Sequence, residues 1–234
     1  MSERDSYSQA VGTRCYRRPE GRMAGCEPVV FIVDDNRSIC ESATELLAGV
    51  GLNVRGFCDP QGLLDACEPD QPGCLVTDMR LPGLSGLELE ARLREKGCRL
   101  PFVVISGCAD VGSAVRAIQA GAVDYIEKPF DGQLLIDAVN EALRRDAEAR
   151  SRRAFRSRVR ARIESLSRRE RQVGGLLAAG KTSKEIAYEL KISPKTADFH
   201  RSNLLRKMQV RSVVELVLLL YGARGAGSVE ELKV

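Results

Sequence analysis

The chain contains no tryptophan and a single histidine, and aromatic residues make up only 5% of its 234 residues. It has eight cysteines but no CxxC pair, so neither a zinc site nor a disulfide framework is indicated. Cys40, Cys74 and Cys98 lie in or beside apolar runs, and we expect them to be small core residues in a reducing cytosol. No apolar run approaches the roughly 18 residues that a membrane helix needs, so we expect a cytoplasmic protein without membrane contacts.

The two ends of the chain carry little folding signal. Residues 1–22 are polar and contain arginine, without the apolar stretch of a secretory signal. We therefore expect residues 1–27 to be a disordered extension, with Met23 as an alternative start, and residues 227–234 to be a short tail.

Charge is divided unevenly along the chain. Residues 27–145 contain 11 Lys and Arg against 19 Asp and Glu, a balance of −8. Residues 150–222 contain 18 against 6, a balance of +12. This asymmetry predicts two domains, of which the second faces a polyanion.

The acidic half alternates between short apolar runs and segments with helical spacing of apolar residues. This pattern of five βα units predicts a doubly wound parallel sheet with helices on both faces. At this size the flavodoxin-like strand order 2-1-3-4-5 is favoured. The predicted strands are 29–33, 53–57, 75–77, 102–105 and 123–126, and the helices that follow the last four of them are 60–67, 85–96, 111–120 and 131–145.

Polar residues follow four of these strands directly. Asp34 and Asp35 follow the first, Asp78 the third, Ser106 the fourth and Lys128 the fifth. In the assumed order these strand ends are adjacent, so the side chains converge on one pocket. Three clustered carboxylates repel one another unless a cation lies among them, and all-oxygen ligands favour Mg²⁺. Beside Mg²⁺ an ionised Asp78 is a candidate nucleophile towards a phosphoryl group, with Lys128 and Ser106 placed to hold its oxygens.

Taken singly, each of these residues has an ordinary structural explanation. Asp34 and Asp35 could cap a helix, Ser106 could belong to a turn and Lys128 could be a solvated charge. Their joint placement at the ends of neighbouring strands favours a functional site.

Four stretches of this half resemble a two-component response-regulator receiver domain. They are VDDN (33–36), TDMRLPGLSGLEL (77–89), VVISG (103–107) and AVDYIEKPF (122–130). The resemblance covers residues 28–145. It implies that Asp78 accepts phosphate from a partner histidine kinase.

The resemblance also implies roles for the residues around Asp78. Asp35, Asp78 and the backbone carbonyl of Arg80 would bind Mg²⁺ directly, and Asp34 would bind it through water. Ser106 and Lys128 would contact the phosphate.

The same resemblance makes Tyr125 a switch that rotates inward, although the residues alone indicate only a partly buried aromatic. Arg80 and Cys108 stand at positions where many receivers carry polar residues that tune hydrolysis of the phosphate.

Residues 146–160 form an arginine-dense joint without Gly or Pro. A solvated helical extension of the preceding helix and a loosely ordered tether are both compatible with this composition. A domain boundary is expected here in either case.

The basic half carries four helix-start signals. Three are capping boxes, Ser167 with Glu170, Thr182 with Glu185 and Ser212 with Glu215; the fourth is Ser193 followed by proline. The predicted helices are 168–178, 183–190, 194–207 and 212–221, an all-α four-helix domain. Only three residues separate the second and third helices, which is the spacing of a helix-turn-helix.

The second domain is expected to cover residues 161–226, and residues 160–222 resemble a LuxR/NarL-type DNA-binding domain. The stretches that carry the resemblance are LSRRERQV (166–173), AAGKTSKEIAYEL (178–190), ISPKTADFHRSNLLRKMQV (192–210) and RSVVELV (211–217). By this resemblance the base-reading positions are Asp198, Phe199 and Ser202, and the phosphate contacts are Lys184, Lys195, Thr196, Arg201 and Lys207. The last helix would dimerise the domain on DNA.

Together the two halves predict a phosphorylation-activated transcription factor of the FixJ/NarL type and not an enzyme. Its expected partners are a sensor histidine kinase, double-stranded DNA, a second copy of the chain after activation, and RNA polymerase. A DNA-binding regulator with a vestigial receiver is one alternative. An aspartyl-phosphate phosphohydrolase is another, although such enzymes need a D-x-D motif after the first strand and this chain has Asp34-Asp35 there.

Overall fold

The computed structural model describes residues 27–107 and 110–223. The chain divides between Glu148 and Ala149 into two compact units. The predictions of a disordered extension and of a C-terminal tail concern residues outside the described ranges, apart from Glu27, and so does the position of Cys108.

The first unit is built around a five-stranded sheet. All its neighbouring strands are parallel and their order is β2-β1-β3-β6-β7, which confirms the predicted flavodoxin-like arrangement. The strands in the described residues are β1 (Val29–Val33), β2 (Asn53–Phe57), β3 (Gly73–Asp78), β4 (Arg80–Leu81), β5 (Leu84–Ser85), β6 (Phe102–Ser106) and β7 (Asp124–Glu127). The short antiparallel pair β4-β5 was not predicted.

Five helices begin in the described residues of this unit. They are α1 (Arg37–Gly49), α2 (Pro60–Ala66), α3 (Gly86–Glu95), α4 (Val111–Gln119) and α5 (Gly132–Glu164). Polar residues at the strand ends start several of them: Asn36 caps α1, Ser85 and Glu88 form a reciprocal capping box at α3, and Asp110 caps α4. Each cap satisfies backbone N–H groups that have no partner within the helix.

The central strands are buried on both faces, as their continuous apolar sequences predict. Every residue of β1 is buried. Because side chains alternate along a strand, Phe31 and Val33 enter one apolar core while Val30 and Ile32 enter the other. The sheet therefore separates two cores, and its carboxyl edge is left for polar groups.

The three cysteines that were predicted to be core residues are buried, whereas Cys58 is exposed. Cys40, Cys74 and Cys98 are buried free thiols, and so is Cys67. Burial is the main cause that raises the pKa of the Cys40 thiol to about 11, so this thiol stays protonated at neutral pH. Buried, protonated thiols of this kind act as small apolar core residues.

Helix α5 extends well past the predicted end at residue 145, so the helical alternative for the joint is the observed one. The joint is nevertheless not solvated throughout. Asp146 is buried in the first unit, while Val159 and Ile163 are buried in the core of the second and Phe155 packs against that core. Residues 155, 159 and 163 recur at four-residue spacing and form one apolar stripe, which explains why this arginine-rich helix contributes to a core.

Up to residue 223, where the described part of the second unit ends, four helices follow α5: α6 (Arg168–Ala178), α7 (Ser183–Leu190), α8 (Pro194–Met208) and α9 (Val213–Gly222). Their bounds agree with the prediction to within one residue at each end. The boxes at α6 and α7 are reciprocal. The capping box predicted at α9 is only half present. Ser212 caps the helix as predicted, but the Glu215 carboxylate accepts a hydrogen bond from the N–H of Arg211 and not from the N–H of Ser212. Among residues 27–107 and 110–223, none of the helices combines the length and the apolar composition of a membrane span.

Candidate functional site

The carboxyl ends of four neighbouring strands bring the predicted pocket residues together. Asp34 follows β1, Asp78 ends β3, Ser106 ends β6 and Lys128 follows β7. The register places Asp78 opposite Ile105 and therefore one step from Ser106. Parallel pairing alone thus assembles the pocket at one edge of the sheet.

Three carboxylates form the centre of this pocket. Asp34, Asp35 and Asp78 each offer an oxygen, and these three oxygens lie within 4.8 Å of one another. Asp34 is only 2% exposed, Asp78 is half-buried and Asp35 is exposed. Anionic groups this close repel unless a cation lies among them, and their all-oxygen donor set fits Mg²⁺. Arg80, whose carbonyl is the fourth predicted ligand, follows Asp78 by two residues in β4.

Lys128 bridges two of the three carboxylates. Its Nζ lies 2.5 Å from an oxygen of Asp34 and 2.5 Å from an oxygen of Asp78. Burial by itself would lower the pKa of the ammonium, but the hydrogen bonds and charges of both carboxylates outweigh it and raise the pKa. Lys128 is therefore charged at neutral pH and offsets one of the three negative charges.

Backbone groups fix the direction of the two inner carboxylates. The N–H of Asn36 donates to Asp34 Oδ1 over 2.9 Å, and the N–H of Arg80 donates to Asp78 Oδ1 over 3.0 Å. Behind Asp78, the first residue of α3 approaches the strand closely: a Cβ on Gly86 would lie 2.3 Å from the Asp78 carbonyl oxygen. The space around the Asp78 backbone consequently requires glycine at position 86.

The remaining predicted residues of this half lie beside the cluster. Ser106 is buried at the end of β6. Tyr125 is half-buried in β7 and packs against the apolar core that contains Phe102 and Val104. Tyr125 lies three residues before Lys128, the predicted phosphate contact at the end of β7, and this position is compatible with either a core or a switching role.

The helix-turn-helix of the second unit is formed by α7 and α8. The turn between them begins at Lys191, which adopts a left-handed conformation (φ 54°) that ends α7. Of the predicted DNA contacts, the exposed ones are Lys184, Lys195, Asp198, Phe199 and Ser202, and the half-buried ones are Thr196, Arg201 and Lys207.

Lys207, one of the predicted DNA contacts, forms an ion pair within the unit. Its Nζ lies 2.7 Å from Glu170 Oε2 and 3.2 Å from the carbonyl oxygen of Ser165. A phosphate contact by Lys207 would have to compete with this ion pair.

Arg162, in the last turn of α5, forms further hydrogen bonds at the same end of α8. Its guanidinium donates to the carbonyl of Met208 over 3.0 Å and to Gln209 Oε1 over 2.5 Å. Sequence reasoning missed both Arg162 and the second role of Glu170. The partners lie 46 and 37 residues away along the chain, and no local pattern marks them.

Comparisons with known proteins find a family match for each of the two parts of the chain. Residues 30–140 match the model of the response regulator receiver domain, and residues 164–220 match that of the bacterial regulatory proteins of the luxR family. The transcriptional regulatory protein FixJ of Azorhizobium caulinodans is 44% identical over 188 residues, which cover 80% of this chain and 89% of FixJ.

Two further relatives extend this likeness. The response regulator protein TodT of Pseudomonas putida is 39% identical, over 83% of this chain and 86% of TodT. A low-resolution structure of the response regulator StyR is 39% identical, covers 83% of this chain and 98% of StyR, and has a TM-score of 0.76. The chain therefore belongs to the two-component response regulators that combine a receiver domain with a LuxR-type DNA-binding domain, and it is a transcription regulator.

Proposed function

We propose that Asp78 accepts a phosphoryl group from a sensor histidine kinase and that its phosphorylation controls the affinity of the second unit for DNA. The observation that carries this proposal is the arrangement of Asp34, Asp35 and Asp78 within 4.8 Å, with the Lys128 ammonium 2.5 Å from two of them. A nucleophilic carboxylate, a cation site and a fixed ammonium are the groups that phosphoryl transfer to an aspartate needs.

In the proposed reaction a carboxylate oxygen of Asp78 attacks phosphorus. The oxygen–phosphorus bond forms as the phosphorus–nitrogen bond to the kinase histidine breaks, and the histidine leaves with the electron pair of that bond. Asp34, Asp35 and Asp78, with the Arg80 carbonyl, would hold Mg²⁺, which supplies positive charge for the phosphoryl oxygens. Lys128 and the Ser106 hydroxyl are placed at neighbouring strand ends to bind those oxygens.

The signal leaves the pocket through Ser106 and Tyr125. We propose that both move inward in the phosphorylated state, which shifts the population towards a form with an altered α4–β7 surface. Three apolar side chains on α4, Val111, Val115 and Ile118, are exposed at helical spacing and form one face. This face supports the proposal that activation produces a homodimer.

The proposed output is sequence-specific binding of double-stranded DNA by α8. Its exposed side carries Lys195, Asp198, Phe199 and Ser202 in a unit with an excess of basic residues. Helix α9 exposes Val214, Leu218 and Tyr221 on one side, which suits pairing of two copies on adjacent half-sites. Contact with RNA polymerase is a further part of the proposal, in keeping with the name of FixJ as a transcriptional regulatory protein.

The test compares DNA affinity with and without a small phosphoryl donor such as acetyl phosphate, for the wild type and for Asp78→Asn. We expect the donor to raise the affinity of the wild type about tenfold or more and to leave the variant unchanged. Equal affinities in all four measurements would show that the protein binds DNA independently of phosphorylation, and would contradict the proposed control by Asp78.

A further inference from the structure

An aromatic side chain lies exposed in the middle of the polar face of α8. Phe199 is the sixth residue of this helix and is 62% exposed. Lys195, Asp198 and Ser202 share its side of the helix and are exposed as well. The opposite side, with Ala197 among its residues, is buried in the core of the unit.

The described part of the chain gives Phe199 little to pack against. Its ring meets the His200 ring edge-on, with 5.7 Å between the centroids, and it does not belong to the core cluster of the unit. The fold of the second unit therefore does not use this ring as a core residue.

The residues around Phe199 decide which part of the DNA it would meet. A carboxylate is repelled by phosphates, so Asp198 favours the floor of the groove over the sugar-phosphate backbone. Phe199 is the next residue of the helix, and both lie in its N-terminal half, the part of a recognition helix that contacts base edges. Lys195, one turn earlier, is left to meet a phosphate.

We propose that Phe199 reads a thymine, by packing its ring on the 5-methyl group in the major groove; this inference rests on the proposed DNA-binding function. The thymine methyl is the apolar group among the donors and acceptors that base pairs present in this groove. A phenyl ring cannot hydrogen-bond to the other edges, so it discriminates by covering this methyl group and excluding water from it.

The expected size of the effect follows from the area involved. Removing one buried methyl group lowers affinity about threefold to tenfold, and removing the ring that covers it abolishes the dependence on that methyl. The methyl and the ring are thus coupled, and a double-mutant cycle measures the coupling.

The experiment uses the full chain treated with acetyl phosphate. A binding site is first selected from a pool of random duplexes, and each thymine in it is then replaced by deoxyuridine, which lacks only the methyl group. Affinities at one fixed salt concentration are measured for the wild type, Phe199→Ala and Phe199→Leu. Tyr188→Ala is the matched control, since Tyr188 is an 89% exposed aromatic on α7 of the same unit.

We expect at least one thymine whose replacement weakens the wild type and Tyr188→Ala by the stated factor, leaves Phe199→Ala unaffected and affects Phe199→Leu to an intermediate degree. If every deoxyuridine substitution affects the wild type and Phe199→Ala equally, the thymine assignment is wrong although DNA binding stands. If the wild type enriches no sequence, the proposed function itself fails. Thermal unfolding of each variant shows whether it is folded.

Discussion

The buried carboxylate of Asp146 in α5 accepts a hydrogen bond from the backbone N–H of Gly73, 3.0 Å away, at the first residue of β3. This contact joins α5 to the strand that ends in Asp78. Gly73 itself has no room for a side chain, because a Cβ there would lie 1.9 Å from the carbonyl oxygen of Val29. Strand β3 is therefore fixed at its start by Asp146 and by close contact with β1.

Asp146→Ala should lower the free energy of unfolding of the first unit by about 1–3 kcal/mol, because it leaves a buried N–H group without its acceptor. Asp137→Ala, at an exposed position of the same helix, should change it by less than about 0.5 kcal/mol. Urea unfolding of the full chain, with a separate transition fitted to each unit, measures both. Equal effects of the two substitutions would contradict a special role for Asp146.

Gly86→Ala should slow phosphorylation of Asp78 about tenfold or more. The added Cβ would lie 2.3 Å from the Asp78 carbonyl oxygen, so strand or helix must move, and small displacements of a nucleophile are costly. Incorporation of radiolabelled phosphate from acetyl phosphate measures the rate.

Gly49→Ala is the control for Gly86→Ala, since a Cβ at position 49 meets nothing within 4 Å. It should phosphorylate at the wild-type rate. Wild-type kinetics in Gly86→Ala would mean that the approach of α3 to β3 does not position Asp78.

Lys128→Met should increase the affinity of the first unit for Mg²⁺ about tenfold. The ammonium now lies 2.5 Å from both Asp34 and Asp78, and its removal leaves more negative charge for the ion to neutralise. The variant should nevertheless lose phosphorylation, because it lacks the group that binds the phosphoryl oxygens. Calorimetric titration with MgCl₂ gives the affinity.

Lys96→Met is the matched substitution for Lys128→Met, because Lys96 lies outside the pocket, where its amine donates to the carbonyl of Leu64. Its Mg²⁺ affinity should equal that of the wild type. Weaker Mg²⁺ binding by Lys128→Met would show that the ammonium supports the ion site and does not compete with it.

Much of the architecture followed from short-range patterns in the sequence. Apolar runs such as 29–33 and 102–105 predict buried strands whatever their partners are, and parallel pairing then brings their carboxyl ends together. Helix starts such as Ser167 and Thr182 are marked by a residue three positions later. This pairing brings together the side chains of Asp34, Asp78 and Lys128, and their proximity could be inferred from strand order alone.

The features that could not be predicted depend on partners distant in sequence. In the sequence Asp146 is one more charge in an arginine-rich joint, and its role as an acceptor for the N–H of Gly73 depends on how the chain folds. The sequence marks Glu170 as part of a helix cap, but its pairing with Lys207 depends on how α6 and α8 pack. Val159 shows the same limit, because an apolar residue among arginines gives no sign of the core that it enters.

Arg162→Gln should weaken sequence-specific DNA binding about tenfold, while binding to random duplex at low salt changes less. The Arg162 guanidinium donates a hydrogen bond to the Met208 carbonyl at the end of α8. A cation at this position is also stabilised by the negative end of the helix dipole. Loosening this end lets the recognition helix shift relative to the rest of the unit. The ratio of specific to non-specific affinity is the measurement that reports it.

Arg160→Gln serves as the control for Arg162→Gln, because Arg160 pairs with Glu164 at the surface of the same helix, with side chains 72% and 64% exposed. Such a pair contributes little to stability, and both the specificity ratio and the unfolding temperature should stay unchanged. Equal loss of specific and non-specific binding in Arg162→Gln would point to a lost phosphate contact instead.

The stability of the second unit should depend on pH through Glu170, which is 4% exposed and lies 2.7 Å from the Lys207 ammonium. Burial alone would raise the pKa of this carboxyl, but the hydrogen bonds from Lys207 and from Ser167 outweigh it and lower the pKa below its ordinary value. A group with a depressed folded pKa stabilises the fold fully above its unfolded pKa. That contribution is lost as the pH falls from the unfolded pKa through the folded pKa. Over this range the unfolded state binds more protons than the folded state does.

Glu170→Gln should therefore be less stable than the wild type at pH 7, and the difference should shrink as the pH falls below about 4.5. Thermal unfolding of both proteins from pH 7 to pH 3 measures this difference directly, and other titrating groups cancel because they are common to the two. Glu189→Gln, at an exposed site that pairs with Lys181, should show only a small difference from the wild type at any pH. If the difference in unfolding temperature between wild type and Glu170→Gln stays constant with pH, the ion pair with Lys207 does not stabilise the folded state. The side chain at position 170 would then contribute through its packing alone.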